Sequence, residues 1–140
     1  MAATSARDIA LRWIELYNDG TPESYGSDRF LELYAPDAEW REMPTRAYPE
    51  GRSGGVETVR EAVVVGQATL RNRRVTLNEL VAEGEKAAFF YTWRATAAID
   101  LPEPLNVQAG GAVQLEVAQF IEVANGKIQK SVEHVVLARA

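Results

Sequence analysis

Few side chains in this sequence can move a proton near neutral pH, and their spacing decides which of them can share a face. Glu133 and His134 are neighbours in KIQKSVEHVVL, a run that alternates, so they point to opposite faces. One parity holds Gln129, Ser131, Glu133 and Val135; the other holds Ile128, Lys130, Val132, His134 and Val136. Arg41 and Glu42 are a second either-or pair, with the apolar Trp40 and Met43 beside them. Gln119 stands in a row with Leu115, Val117 and Ile121. A polar group in an apolar row needs a partner in protein, water or ligand, and a primary amide can donate to an oxyanion. Tyr91 and Trp93 share one face of a long apolar run, where two aromatic rings can shape and stack on a flat ligand or simply pack. A single histidine argues against a zinc or iron site, and with no cysteine there is neither thiolate ligand nor disulfide.

The bulk properties bound what these groups can serve. The 140 residues fit one domain, 1–140, with 46% hydrophobic and 25% charged residues. No apolar run approaches the roughly 18 residues of a membrane span. The N-terminal MAATSARDIALRW lacks the basic and apolar regions of a secretion signal, so a cytoplasmic protein is expected. A formal net charge of -5 disfavours nucleic acid as a partner.

The elements that must position the groups follow from periodicity. Ile9, Trp13, Leu16 and Tyr17 recur at helical spacing over 5–19, and Asn18, Asp19 and Gly20 stop that helix. TPESYGS is a loop. Asp28 or Ser27 caps a short second helix, RFLELY, with Phe30, Leu33 and Tyr34 on one face, ended by Pro36. A strand covers 37–44, a Gly- and Pro-rich loop 45–55, and a third helix 56–70. Four strands follow: RVTLNELVA, in which Glu79 breaks the apolar alternation; KAAFFYTWRATAAID; AVQLEVAQFIEV; and KIQKSVEHVVL. The last two flank Asn125-Gly126, a strong hairpin signal. Arg71, Arg73 and Arg74 read as a solvated helix end. Helices ahead of a block of antiparallel strands make an α+β domain, and a curved sheet closing over helices leaves a concave, mostly apolar pocket for a small ligand.

This order resembles the nuclear transport factor 2-like superfamily, which includes ketosteroid isomerases and SnoaL-like polyketide cyclases. RWIELYNDG, LELYAPDAEWREMP and FIEVANGKIQKSVEH carry the resemblance. It implies a cone-shaped α+β barrel, a curved antiparallel sheet wrapped on three helices around a pocket, and a homodimer through the outer sheet face, where Ile128, Val132 and Val136 form an apolar parity.

The resemblance also implies roles. Glu42 falls where the isomerases hold their general base, in surroundings that Trp40 and Met43 make apolar, although a surface carboxylate paired with Arg41 or Arg46 is the plain alternative. Gln119 falls at the oxyanion position, where an amide replaces the family's acid, and Trp13 replaces its tyrosine. The face of Tyr91 and Trp93 lines the pocket, with Tyr17 and Tyr34 near it, and Glu133 is a second acid/base candidate opposite Glu42. His134 is structural on this parity, yet several SnoaL-like relatives use a histidine in acid/base work. The implied function is cofactor-independent, metal-free acid/base catalysis on a polyketide- or terpenoid-like substrate, by a cyclase or isomerase; epoxide opening, which resembles an Asp-Arg-Asp arrangement, has less support, because those three types do not fall in register. A non-catalytic ligand-binding or accessory protein is the other reading; an inward Glu42 or Glu133 with a raised proton affinity favours the enzyme, and both pointing into solvent favours the binder.

Overall fold

The computed structural model describes residues 5–20 and 24–138. Part of the TPESYGS loop, 21–23, lies outside the described residues. Helix α1 spans Ala6–Tyr17, with Ser5 capping it by accepting from the Asp8 N–H. Its buried face carries Ile9, Trp13 and Leu16. Helix α2 spans Val56–Thr69; Val63 faces the core while Val64 and Val65 are exposed, so its β-branched run is divided between core and solvent. The strands are β1 (Tyr34–Glu42), β2 (Arg52–Gly54), β3 (Leu70–Glu83), β4 (Lys86–Ala97), β5 (Ala112–Ala124) and β6 (Lys127–Ala138). They form one curved, unclosed sheet in the order β2-β1-β6-β5-β4-β3. Helix α1 packs on β3, β4 and β5, and α2 packs chiefly on β1.

The α+β class stands, with differences in detail. The expected second helix is a 3-10 helix, Arg29–Leu33, and Tyr34 already belongs to β1. Pro36 sits inside that strand, not after a helix; the β1–β6 register shifts between Tyr34 and Glu39, and this irregular stretch tolerates a residue without an N–H. The sheet is not wholly antiparallel, because β1 runs parallel to β6. A sixth strand, β2, comes from the expected loop 45–55 and pairs with β1 through Trp40↔Gly54, Arg41↔Ser53 and Glu42↔Arg52.

Two bulges explain broken alternation. Leu77 pairs with Tyr91 but Glu79 with Phe90, so Asn78 is the extra residue and Glu79 turns out to solvent. Val123 pairs with Ile128 but Glu122 with Lys130, so Ile128 turns into the core and leaves the outer parity to which it was assigned. The hairpins are as expected: Asn125 (φ 54) and Gly126 (φ 73) join β5 to β6 with the positive φ pair of a type I′ turn.

The basic run after α2 is not a helix end either, since β3 starts at Leu70. Arg73 is buried, 2% exposed. Its Nη2 donates to the carbonyls of Tyr17 (2.6 Å) and Ser27 (3.2 Å), and its guanidinium lies over the rings of Tyr17 (3.7 Å) and Tyr25 (4.6 Å). One carbonyl at the end of α1, one in the loop before the 3-10 helix and two ring faces take the place of a carboxylate. A Cβ on Gly26 (φ +101) would stand 2.5 Å from that Nη2, so glycine is required here by both space and dihedral.

Candidate functional site

The pairings place one row of side chains across the concave face. Arg52 lies opposite Glu42, Glu42 opposite Glu133, Glu133 opposite Gln119, and Gln119 opposite Phe89. Ser131 and Trp40 are partners in the adjacent row. Both candidate carboxylates therefore face inward side by side, one on each strand of the parallel pair.

Their environments differ. Glu42 is a bidentate partner of Arg52, accepting from Nε at 3.1 Å and from Nη2 at 3.0 Å. The expected alternatives, Arg41 and Arg46, are not its partners; both are exposed. The Arg52 guanidinium lies 4.0 Å from the Tyr48 ring centroid and 5.5 Å from that of Trp40. Glu133 accepts from the indole N–H of Trp40. Burial raises the Glu133 carboxyl to about 7 from an ordinary 4.5; the Glu42 charge pushes it the same way, while Trp40, Arg52 and the Tyr91 hydroxyl restrain the rise. This is a carboxyl poised to gain and lose a proton near neutrality. Arg52, Glu42 and Glu133 stand in that order across β2, β1 and β6, with Arg52 bonded to Glu42; spacing hid Arg52 because it lies in a three-residue strand within the glycine-rich segment.

The remaining candidates spend their polar atoms on one another. Gln119 is 1% exposed: its Oε1 accepts from the Tyr91 hydroxyl (2.8 Å) and its Nε2 donates to Ser131 Oγ (3.0 Å). Trp13 donates to the Tyr34 hydroxyl (3.2 Å) and Trp93 to the Tyr17 hydroxyl (2.9 Å). Burial, the largest cause in each case, pushes the hydroxyls of Tyr17, Tyr34 and Tyr91 well above the usual tyrosine range, so all three stay protonated. Trp13 stacks on Tyr17 at 4.4 Å and touches Phe30, Phe89 and Tyr91 at 5.4–5.6 Å between centroids. These aromatics fill the concave side beneath α1 where they were expected to line an open pocket. Trp13 is 2% exposed and its N–H is already used. His134 is exposed beside Ala118 on the opposite face from Glu133, away from the carboxylates. Sequence reasoning missed Arg52 and Tyr48; β1–β2 pairing brings in Arg52, and the turn before β2, where the Tyr48 carbonyl accepts from the Thr45 and Gly51 N–H groups, brings in Tyr48.

Two shallow clefts adjoin these strands, one of about 470 Å³ bordered by Trp40, Arg41, Met43, Lys130 and Ser131, the other of about 460 Å³ bordered by Tyr34, Pro36, Val56 and Arg60. Neither includes Glu133. Among the described residues no group of three or more His, Asp or Glu side chains is placed to hold a metal ion, and no helix is long and apolar enough to cross a membrane.

Comparison with known proteins gives a coherent result. The family model for the SnoaL-like domain matches residues 10–131. IdmH, a proposed polyketide cyclase from Streptomyces antibioticus, superposes with a TM-score of 0.73 at 21% identity, covering 94% of this chain and 92% of its own. A proposed polyketide cyclase from Xanthomonas campestris pv. campestris superposes with a TM-score of 0.67 at 18% identity, covering 92% and 88%. An NTF2-like protein from Burkholderia thailandensis does so with a TM-score of 0.71 at 17% identity, covering 95% and 92%. These likenesses are of fold. No curated protein matches the chain significantly.

Proposed function

We propose, on the premise that this chain belongs to the SnoaL-like domain family, that it is an acid/base enzyme of the cyclase or isomerase type in which Glu133 carries the proton. The observation that supports this is the Glu133 carboxyl itself, half-buried at the β1–β6 corner beside Glu42, with a proton affinity raised to about 7 and an indole N–H as its neutral partner. Ionised, it takes a proton from a carbon made acidic by an adjacent carbonyl; protonated, it returns one to the rearranged skeleton. Glu42, held by Arg52, serves as the charge beside it, not as the base. With Glu133 protonated the three groups sum to no net charge, which suits a neutral, apolar substrate. The two neighbours named as proposed polyketide cyclases favour a polyketide-like skeleton within that class.

A second reading has its own observation. The mutual stacking of Trp13, Tyr17, Phe30, Phe89 and Tyr91 occupies the concave side, as in a protein that needs a stable core more than an open pocket. On this reading the chain is a ligand-binding or accessory protein.

Binding of flat phenols, mimics of an enolate, followed by tryptophan fluorescence across pH 5–9 separates the two. Tight, pH-dependent binding that Glu133→Gln abolishes and Glu42→Gln only weakens supports the enzyme. Binding indifferent to pH and to both substitutions supports the binder. Homodimerisation through the outer face around Val132 and Val136 belongs to either reading, and sizing in solution tests it; a clean monomer removes it.

A further inference from the structure

The following rests on the assignment of Glu133 as the proton carrier. Glu42 and Glu133 are register partners on neighbouring strands, so their backbones lie about 4.8 Å apart with both side chains on one face. Two carboxylates in such a place repel, and one must hold a proton or receive a cation. The cation at this corner is Arg52, and it is not shared evenly. β1–β2 pairing sets Arg52 opposite Glu42, and the guanidinium fork meets both Glu42 oxygens. The Tyr48 ring lies against the guanidinium and Trp40 lies to its side, so it is held at Glu42. Trp40 in turn gives Glu133 a neutral N–H. One carboxylate receives a cation and the other an indole.

We propose that Arg52 is a positioning residue that assigns the proton within the pair: clamped by Tyr48 onto Glu42, it makes Glu42 the standing carboxylate and leaves Glu133 as the group that binds and releases the proton. The charged and titratable groups facing Glu133 are Glu42 and Tyr34 from β1, Arg52 from β2, Tyr91 from β4 and Tyr17 from α1; β5 contributes the uncharged Gln119. The tyrosines remain neutral through the working range, so Glu42 and Arg52 are the groups whose charge sets the order.

The test is a carboxyl ¹³C titration of Glu133 in the ligand-free protein, assigned with Glu133→Gln. Arg52→Met is expected to raise the Glu133 midpoint by about one pH unit or more and to spread it into two steps, because the proton is then shared between the two carboxyls. Arg52→Lys, which keeps the charge without the fork, gives a smaller rise. Glu42→Gln lowers the midpoint by about one unit or more, since the repulsion goes and Arg52 is free to turn to Glu133. Tyr48→Leu leaves both charges in place but releases the guanidinium; it moves Glu133 in a broadened, salt-sensitive titration, and it serves where Arg52→Met does not fold. A Glu133 midpoint unmoved in both Tyr48→Leu and Glu42→Gln overturns the proposal, as does a downward shift in Arg52→Met. Because no ligand is present, failure of phenol binding leaves this result standing, and a flat titration overturns the inference even where phenols bind.

Discussion

Two regions on the same concave face are built on opposite terms. Under α1, the aromatic side chains pair their polar atoms with one another and with neighbouring side chains: Trp13 with Tyr34, Trp93 with Tyr17, Tyr91 with Gln119, and Gln119 with Ser131; the Nε and Nη1 of Arg73, packed on the Tyr17 ring, are buried without a hydrogen-bond partner among the described residues. At the β1–β6 corner, one carboxylate holds the guanidinium and the other the indole N–H, and Glu133 is left with a proton affinity far from its value in water. The paired groups of the first region are satisfied, as in buried networks that specify a core. The second holds a carboxyl whose charge is opposed by burial and by a neighbouring carboxylate, with an indole N–H as partial compensation. Stability alone gives no reason to hold Glu133 beside Glu42, and the contrast supports the role proposed for Glu133.

The contrast can be broken from the aromatic side first. Trp13→Ala, at a residue 2% exposed, should cost about 3–5 kcal/mol in urea denaturation, the range for deleting a large buried aromatic. A cost near zero would mean that the cluster is not the stabilising half.

Glu133→Gln tests the corner from the other direction. Below about pH 4.5 the wild-type carboxyl is protonated in both folded and unfolded chains, and the raised folded-state affinity contributes its full stabilisation. As pH rises from about 4.5 to about 7, the unfolded chain loses the proton and the folded chain keeps it, so the wild type loses stability until the folded carboxyl also ionises. The variant escapes that loss. It should therefore be more stable than the wild type at pH 8 by on the order of 3 kcal/mol, with little difference at pH 4. Thermal melts of both proteins at the two pH values decide it, and a variant less stable than wild type at pH 8 refutes the account.

Tyr91→Phe joins the two regions. It leaves the buried Oε1 of Gln119 without its donor, at a cost of about 1–2 kcal/mol, and removes a hydroxyl that restrains Glu133, so the Glu133 midpoint should rise. A loss of stability with no movement of Glu133 would uncouple corner from cluster. The smallest effect is expected of His134→Ala, within about 0.5 kcal/mol and with phenol binding unchanged, because this side chain is exposed on the far face. Lost binding in that variant would return His134 to the candidate site.

The sequence made the corner partly legible. Alternation in KIQKSVEHVVL put Ser131 and Glu133 on one face, and the row Leu115, Val117, Gln119, Ile121 placed Gln119 correctly, because local period-two patterns survive wherever the strand is regular. They failed at Asn78 and before Lys130, where a bulge adds one residue and reverses the parity beyond it. Arg52 was illegible for a different reason. RSG is too short to show a period, and its partner is set by sheet pairing, not by local spacing. Arg73 was misread because a basic run looks alike in solvent and between two tyrosine rings; only the folded position of Tyr17 and Tyr25 tells them apart.

The parallel pairing of β1 with β6 also bears on how the chain acquires its site. Trp40 and Glu133 stand 93 residues apart, and loop closure over such a span comes late relative to hairpins such as β3–β4 and β5–β6. Chains are made and begin to fold from the N-terminal side, so β1 exists without its parallel neighbour until the segment after Lys127 has been synthesised and its hairpin has formed. Until then Glu42 has no adjacent carboxylate and Trp40 has no acceptor. The corner comes into being only with the last long-range closure, which makes the proton affinity of Glu133 a reporter of completed folding as well as a part of the native site.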